Sequence, residues 1–491
     1  MTGGRARSVA VMARIAVALA FGPIACGGDD ATTVRFWAMG REGEVVAQLM
    51  PAFERGHPGI HVEVQQLPWT SAHEKLLTAF VGDATPDLAQ LGNTWLPELA
   101  ALDALVPLDA EIAASPIVRA PDYFAGIWDT NQLDGVRYGV PWYVDTRLLF
   151  YRRDLLAEAG HATPPVTWAS WLAAMRAIKA RGGPARFAAL LPVDEFEQLL
   201  VLALQSDDPL LRDHGRRGNF ASAGFRRALT FYLQLFIEQL APLTTQIQVP
   251  NPWDELARGY FSFFFHGPWS IGEFRRRLPA PQQHLWATMA LPGPDGPGAS
   301  SAGGASLVVF RRSSHRREAW QLIEYLAQPD VQRQFYDLTG NLPPRRTAWA
   351  DPRFDDEPVR AFRDQLERMR PLPPVPEWER IATEVRVISE RAVRQVSPAT
   401  TPAELAAIVD AAVRELDARA DQMLEKRRWM LDKRSGVAAG AAPTGASGGA
   451  GRSPVVIDEQ SDAGAGGAPT GSSSGAGRSS VVVDPAARGA R

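Results

Sequence analysis

Five groups of aromatic and polar residues follow predicted strands or lie in turns, where side chains can meet a ligand. Aromatic rings suit the recognition of flat ligand faces, and carboxylates and amides exchange hydrogen bonds with polar groups. Ligands of open α/β sheets bind outside the carboxyl ends of the strands, so we expect the five groups to face one crevice. The groups are Arg41-Glu42, Gly92-Asn93-Thr94-Trp95, Pro141-Trp142-Tyr143-Val144-Asp145, Gly267-Pro268-Trp269 and Ser301-Ala302-Gly303-Gly304-Ala305.

Local motifs for catalysis or metal binding do not accompany these groups. The sequence contains no HExxH, Walker or EF-hand pattern. His57 and His61 are four residues apart, but Pro58-Gly59 between them prevents a shared helix face. Two GxSxG matches lie in a Gly/Ser-rich region, without the strand and helix that a nucleophile elbow needs. We therefore predict no catalytic residue, no metal and no cofactor.

The elements that must position the five groups alternate between strands and helices in the first part of the chain. A strand at 34–39 precedes a helix that Pro51 should kink. A second strand at 60–64, a helix at 71–80 and a third strand at 85–91 follow. This alternation indicates βα units with a mostly parallel sheet, that is, an α/β fold. The apolar stripe of the first helix consists of Val45, Val46, Leu49, Met50 and Phe53.

Later segments are more helical and carry clear start signals. Thr167 is a plausible N-cap, and residues 225–239 form an amphipathic helix. Thr401 and Glu404 form a capping box with Pro402 at the first helical position, and this helix is predicted to reach about Lys433.

Composition changes abruptly after Arg434. Gly, Ala and Ser dominate residues 435–491, which we predict to be a disordered tail. It contains an imperfect repeat, in which Pro443 and Pro469 are 26 positions apart. Such a tail is either a linker or an extension that reaches the cell wall.

Length and charge limit the class of protein. The 491 residues suffice for at least two domains. The apolar fraction of 45% and the charged fraction of 22% are ordinary for a soluble globular protein. A net charge of −3 argues against a broad nucleic-acid-binding face, so we predict no nucleic-acid partner.

The N-terminus has the layout of a secretory signal. Arg5, Arg7 and Arg14 precede an apolar run at 15–25 that is too short to span a bilayer comfortably. The single cysteine of the chain, Cys26, closes this run, and the segment resembles a bacterial lipobox, in which a cysteine carries lipid. We expect a signal peptide at 1–25 and a lipidated tether at 26–33. An ordinary signal with an incidental cysteine is the alternative.

The order and spacing of several segments resemble those of extracellular solute-binding proteins of the sugar type, the receptors of ABC importers. The segments include "FWAMGREGEVVAQLM", "TPDLAQLGNTW", "GVPWYVDTRLLFYRRDLL", "FFFHGPWSIGEF" and "SAGGASLVVF". The resemblance implies a periplasmic-binding-protein-like fold with two α/β lobes, a ligand cleft and hinge crossings. The expected segments are lobe 1 at 34–140 and 291–345, lobe 2 at 141–290 and 346–434, and the tail at 435–491.

The resemblance also assigns ligand-binding roles by position. Glu42 and Asn93 match residues of the first lobe that hydrogen-bond sugar hydroxyls. Tyr143 and Asp145 lie near the first crossing and match residues that touch the ligand. The structural alternatives for the carboxylates are a salt bridge or a helix cap.

Trp269 matches an aromatic residue that stacks on a pyranose ring. The phenylalanines before it are expected to be core, while Pro268 fixes the backbone and Gly267 permits a sharp turn that displays the indole. Sugars have apolar C–H faces and a polar hydroxyl rim, which suits an aromatic ring flanked by carboxylates and amides. Core packing is the alternative role.

Gly303-Gly304 matches a backbone segment that approaches the ligand closely. A tryptophan follows this pair in many relatives, whereas Ala305-Ser306 follows it here, which removes one expected stacking ring. Further candidate ligand contacts are Arg41, Trp69, Trp95 and Trp378.

These observations together predict a monomeric, exported, lipid-anchored receptor. Its partners would be a carbohydrate ligand, the permease subunits of an ABC transporter and a membrane reached through the lipid. Three alternatives stay open: a glycoside-processing enzyme, whose carboxylate pair is recognised only by its distance in space; the same fold binding a peptide, polyamine or other solute; and a scaffold whose cleft has lost its ligand.

Overall fold

The computed structural model describes residues 31–440. The predicted signal peptide, Cys26 and the part of the predicted tail beyond residue 440 lie outside the described residues. The chain divides into two units, Met1–Arg434 and Ser435–Arg491, and the cores and the cleft described below belong to the first unit.

Strands and helices alternate along the described chain. The strands are β1 (Thr32–Met39), β2 (Ile60–Leu67), β3 (Leu88–Gly92), β4 (Gln132–Leu133), β5 (Val136–Arg137), β6 (Val140–Asp145), β7 (Leu148–Arg152), β8 (Ala189–Leu190), β9 (Leu211–Arg212), β10 (Arg217–Gly218), β11 (Phe263–His266), β12 (Trp286–Met289), β13 (Ser300–Ser301), β14 (Gly303–Val309) and β15 (Met369–Arg370). The α-helices are α1 (Gly40–Val46), α2 (Met50–Gly56), α3 (Trp69–Val81), α4 (Leu96–Ala101), α5 (Asp109–Ala114), α6 (Ala125–Asp129), α7 (Arg153–Glu158), α8 (Trp168–Gly182), α9 (Glu197–Leu204), α10 (Ala223–Ile237), α11 (Pro252–Ala257), α12 (Ser270–Arg277), α13 (Arg316–Leu326), α14 (Pro329–Thr339), α15 (Glu357–Leu366), α16 (Trp378–Gln395) and α17 (Pro402–Gly440). Short 3-10 helices lie at Ala120–Asp122, Gln246–Gln248, Ala280–Leu285, Arg346–Ala350 and Pro352–Phe354.

A five-stranded sheet in the order β2-β1-β3-β14-β6 forms the centre of lobe 1. β1 pairs in parallel with β2 and β3, as the alternation of strands and helices predicts. β14 pairs antiparallel with both β3 and β6, since the chain enters β14 in the opposite direction when it returns from lobe 2. The prediction of a mostly parallel sheet is therefore correct only for the first three strands.

Two apolar cores cover the two faces of this sheet. Along β1, Val34, Phe36 and Ala38 belong to one core, and Trp37 and Met39 to the other. This is the alternation that the period of two along a strand requires. α1, α2, α13 and α14 contribute to the first core, and α3 and α4 to the second.

The apolar stripe predicted for the first helix is buried, but two helices carry it. Val45 and Val46 lie on α1, and Met50 and Phe53 lie on α2. Pro51 is the second residue of α2 instead of a kink in a longer helix, because proline is tolerated in the first turn, where its missing N–H is not needed.

A four-stranded sheet in the order β12-β7-β11-β8 forms the centre of lobe 2. Phe263 and Phe265 of β11 pack in a core with α8, α10, α16 and α17, while Phe261 and Phe264 pack in a second core with α12 and α15. The phenylalanine run therefore fills both faces of the sheet, which confirms the prediction that it is core.

Three chain segments cross between the lobes. The first lies between Asp145 of β6 and Leu148 of β7, since β6 belongs to the sheet of lobe 1 and β7 to that of lobe 2. The second lies at Ala302, between β13 and β14. The third passes Leu342, which accepts a backbone hydrogen bond from Val144 (2.9 Å). The first two crossings thus come later than the expected boundaries at 140/141 and 290/291.

Both predicted helix caps are present. The hydroxyl of Thr167 accepts a hydrogen bond from the Ser170 N–H at the start of α8 (3.1 Å). The Thr401 N–H donates to the Glu404 carboxylate at the start of α17 (2.8 Å), which completes the capping box. α17 continues to Gly440, beyond both its predicted end near Lys433 and the predicted start of the tail at residue 435. Among the described residues, the apolar stretches of the helices are too short to cross a membrane.

Candidate functional site

A cleft with a volume of 1210 Å³ lies between the two lobes at the crossings. The start of α1, the start of α3, the end of β6 and the end of α14 form the wall on the side of lobe 1. The turn after β11 and the start of α12 form the opposite wall. Seven of the predicted ligand contacts line it: Arg41, Glu42, Trp69, Tyr143, Asp145, Trp269 and Gly304.

Glu42 is the centre of a hydrogen-bonded network on the wall of lobe 1. Its Oε1 accepts from Nδ2 of Asn341 (2.6 Å), and the polar groups of Trp69 and Tyr143 lie near enough to lower the pKa of its carboxyl. Burial raises the pKa of the Glu42 carboxyl, against the opposing effect of these donors and of its own N–H. The carboxylate is therefore held in one orientation by the protein itself.

Tyr143 connects this network to the sheet. Its hydroxyl accepts a hydrogen bond from Nε2 of Gln90 (3.1 Å), while Oε1 of Gln90 accepts from the Met39 N–H (2.7 Å). Burial, reinforced by the charges of Glu42 and Asp145, raises the pKa of Tyr143 well above its ordinary value. The phenol therefore stays protonated.

Trp69, the first residue of α3, presents the most exposed indole of the cleft. It is 36% exposed and makes an edge contact with Trp95, with 5.5 Å between ring centroids. Gly40 lies beneath it at φ +51, and a Cβ there would come within 2.7 Å of the indole. The positive φ and the close approach together require glycine at this position.

Trp269 stands on the opposite wall, between β11 and α12. Its ring is half-buried and packs at its edge against His266, with 5.0 Å between centroids. The expected turn is present, since the Gly267 carbonyl accepts from the Ser270 N–H (3.2 Å), but Gly267 does not need a positive φ to form it. Its absent side chain leaves the space that the indole occupies, since a Cβ on Gly267 would overlap the ring carbons of Trp269.

His266 stays neutral beneath the indole. Burial and the positive charge of Arg147 lower its pKa to about 3. Its Nδ1 lies 2.5 Å from the hydroxyl of Ser270, which also accepts from Nε1 of Trp253 (3.2 Å). The turn that carries Trp269 therefore packs against a neutral histidine, His266, whose ring is held by a hydrogen bond to Ser270.

Asp145 enters the cleft as part of an ion pair. Nη1 of Arg147 donates to both of its carboxylate oxygens, at 2.8 Å each. Burial raises the pKa of Asp145, and the adjacent guanidinium opposes this effect. Its remaining lone pairs are available to a ligand hydroxyl, but its orientation is set by Arg147.

Gly304 is the glycine of the pair that reaches the cleft. It has φ +125, and a Cβ would overlap the carbonyl oxygen of Tyr143. Gly303 precedes Gly304 in the chain and does not itself line the cleft. A Cβ added to Gly303 would lie 3.1 Å from the carbonyl oxygen of Asp145. Ala305 and Ser306 are fully buried, so this strand supplies no stacking ring.

Comparison with known proteins identifies the chain. Residues 39–333 match the family model described as bacterial extracellular solute-binding protein. The chain belongs to this family. A solved structure of the sugar-binding protein MalE from Xanthomonas citri is 53% identical, with a TM-score of 0.77, over 82% of this chain and 99% of that one.

Curated relatives are more distant. A putative binding protein of Brucella abortus is 25% identical over 367 residues, which cover 74% of this chain and 88% of the relative. An arabinooligosaccharide-binding protein of Halalkalibacterium halodurans is 21% identical over 344 residues, which cover 67% and 76%. The two-lobed α/β architecture of this solute-binding protein is thus the fold expected from its sequence segments.

Besides Gly303, three predicted ligand residues of the solute-binding protein lie outside the lining. Asn93 is buried behind the wall, where its Oδ1 accepts from the Ser306 hydroxyl (2.9 Å). Trp95 stacks on His73 and supports Trp69 from behind. Trp378, on α16, is 1% exposed within the core of lobe 2, so the structure contradicts its expected place in the cleft.

The sequence analysis did not predict several other residues that line the cleft. The main ones are Arg147, Glu197, Tyr336 and Asn341. Asn341 follows Gly340, whose left-handed conformation ends α14, so a Gly-Asn turn was its available signal. Arg147 lies two residues beyond Asp145, but no spacing rule indicates a contact across the lobes. Among the described residues, no group of three or more His, Cys, Asp or Glu side chains is placed to hold a metal.

Proposed function

We propose that this solute-binding protein binds a sugar or short oligosaccharide in the cleft and delivers it to the permease of an ABC importer. The observation that carries the proposal is the presence of two indoles, Trp69 and Trp269, on opposite walls of one cleft. Each indole covers an apolar C–H face, while the carboxylates and amides between them serve the hydroxyl rim. The sugar-binding Xanthomonas citri relative supports this ligand class.

The proposed ligand contacts are Glu42, Tyr143, Asp145, Trp69, Trp269 and Gly304, with Arg41 at the mouth. Asn93, Trp95 and Gly303 act from behind the wall. All of these groups make contacts within the protein before a ligand arrives, and Arg41 pairs at the surface with the carboxylate of Glu44 (3.2 Å). Such preorganisation reduces the ordering cost of binding.

We further propose that the protein acts as a monomeric receptor without enzymatic activity. The carboxylate of Glu42 is buried and already accepts from Asn341, and that of Asp145 is paired with a guanidinium. Neither group is placed as a solvent-activating base. Incubation with oligosaccharides should leave them intact, whereas hydrolysed products would favour the glycoside-processing alternative.

Export and anchoring form a separate part of the proposal. Cys26 would carry the lipid that keeps the receptor close to its permease, since it ends the apolar run of the signal. Several acyl chains together hold a protein at a membrane more firmly than one.

A thermal-shift screen tests the ligand class directly. A ligand at about 100 times its Kd adds roughly 2.7 kcal/mol to the stability of the native state. We expect sugars or oligosaccharides to raise the melting temperature and to titrate calorimetrically. A shift with peptides or polyamines alone would overturn the sugar proposal while leaving the family unchanged.

A further inference from the structure

The guanidinium of Arg147 lies where the first crossing meets both walls of the cleft. Its Nη1 donates to the Asp145 carboxylate at the end of lobe 1, and its Nη2 lies 3.6 Å from Oε1 of Glu197 at the start of α9 in lobe 2. Its Cζ lies 4.9 Å from the centroid of the Trp269 ring. One planar group thus contacts three cleft residues on two lobes.

The backbone beneath Arg147 is fixed to the second crossing. Its N–H donates to the hydroxyl of Ser300 (3.1 Å), and the neighbouring Thr146 hydroxyl donates to the carbonyl of Ser301 (3.0 Å). The side chain is only 19% exposed. It is therefore anchored at its base and held at its tip, and it is not a freely moving surface arginine.

The chemistry of this position favours arginine over lysine. A guanidinium presents separate N–H donors within its plane and a flat face for an aromatic ring, whereas an ammonium is a compact point charge. Burial acts to lower the pKa of Arg147, but Asp145 and Glu197 raise it above its ordinary value. The group stays charged, as a contact with the indole face requires.

We propose that Arg147 is a positioning residue that sets the orientation of the Trp269 indole and couples it to Asp145 across the lobes. The indole has Gly267 beneath it and His266 at its edge, and Arg147 supplies the third support. Movement of lobe 1 relative to lobe 2 then changes the support of the indole, which links lobe closure to the stacking surface. The role of this surface in sugar binding rests on the proposed function, but the positioning does not.

Fluorine NMR of ligand-free protein labelled with 5-fluorotryptophan tests the positioning. Trp269→Phe identifies the resonance of Trp269 among the fourteen tryptophans. We expect Arg147→Ala to shift or broaden this resonance. Arg147→Lys should restore the melting temperature, since it keeps the charge beside Asp145, but should not restore the resonance. An unchanged Trp269 resonance in Arg147→Ala, or full restoration by lysine, would overturn the proposal.

Arg277→Ala is the matched control. Arg277 lies 4.9 Å from the ring centroid of Trp253, the distance found for Arg147 and Trp269, but both residues belong to lobe 2. Its removal should leave the Trp269 resonance in place. If Arg277→Ala changes this resonance as much as Arg147→Ala does, the effect is not specific and the proposal fails.

Titration with the sugar that the screen identifies separates this inference from the proposed function. Arg147→Lys should raise Kd by about tenfold or more, because the indole is no longer held in its stacking orientation. Equal Kd values for Arg147→Lys and the unsubstituted protein would overturn the coupling to binding. Failure of every sugar to bind the unsubstituted protein would contradict the proposed function alone, since the NMR result is independent of ligand.

Discussion

The indole of Trp269 occupies the space above Gly267 that any side chain at that position would need. This contact fixes the direction of the ring before a ligand binds. Gly267 is therefore a functional residue through its lack of a side chain and not through an unusual backbone conformation.

Gly267→Ala should displace the indole and weaken sugar binding nearly as much as removal of the ring. Calorimetric titration measures the change, and the melting temperature should move little, because the turn has an ordinary φ. Gly56→Ala, at the end of α2 with open space around its Cβ position, is the control and should bind as the unsubstituted protein does. Unchanged affinity in Gly267→Ala would show that the ring has room to move without loss.

Trp269→Ala should reduce affinity with little effect on folding. Losing an aromatic anchor costs about 2–4 kcal/mol of binding free energy. This corresponds to roughly thirtyfold to several hundredfold in Kd.

Trp378→Phe provides the opposite case. Its indole is 1% exposed in the core of lobe 2, so the smaller ring should lower the melting temperature and leave affinity unchanged. If Trp269→Ala binds normally but has a strongly lowered melting temperature, Trp269 belongs to the core instead.

Glu195 should make stability depend on pH. Burial, with the nearby charge of Glu197, raises its pKa from 4.5 to about 7. The native state therefore holds this proton more tightly than the unfolded state does. The resulting stabilisation is complete below pH 4.5 and is lost as the pH rises through 7, by at most about 3 kcal/mol.

Glu195→Gln, which does not ionise, should be more stable than the unsubstituted protein at about pH 8 and similar to it at pH 4.5. Urea unfolding at both pH values measures the difference. The lowered pKa of His266 makes both proteins lose stability at acid pH, so its effect cancels in the comparison. A difference that is the same at both pH values would contradict the raised pKa.

Cys26→Ala should abolish lipid attachment. The variant should accumulate as an unprocessed precursor or be released from the cell, and fractionation of membranes with detection of the precursor distinguishes these states from the anchored form. Correct processing and membrane association of Cys26→Ala would show that another feature anchors the protein.

The sequence predicted the starts of helices correctly where the capping interactions join residues close together in the chain. The cap at Thr167 and the capping box at Thr401 are both present, because each depends on residues within one turn of the helix. The division of the stripe at Pro51 into two helices was missed, since a kink and a break share the same local pattern.

Cleft residues were predictable where they follow strands. Glu42, Tyr143, Asp145 and Trp269 all reach one cleft, as residues at strand ends should. Trp378 was misplaced because a tryptophan at the start of a helix has the same sequence signature whether it faces a cleft or a core.

The sequence alone determined the α/β class, the family, the phenylalanine core and most of the aromatic and acidic groups of the cleft, because periodicity and residue type record burial and hydrogen-bonding capacity. Tertiary structure decided how those groups are used. Asp145 proved to be paired with Arg147, and Arg147 proved to contact Trp269, which lies more than a hundred residues away in the chain. The contact of Arg147 with Trp269 depends on the three-dimensional approach of two lobes, which no local pattern of residues encodes.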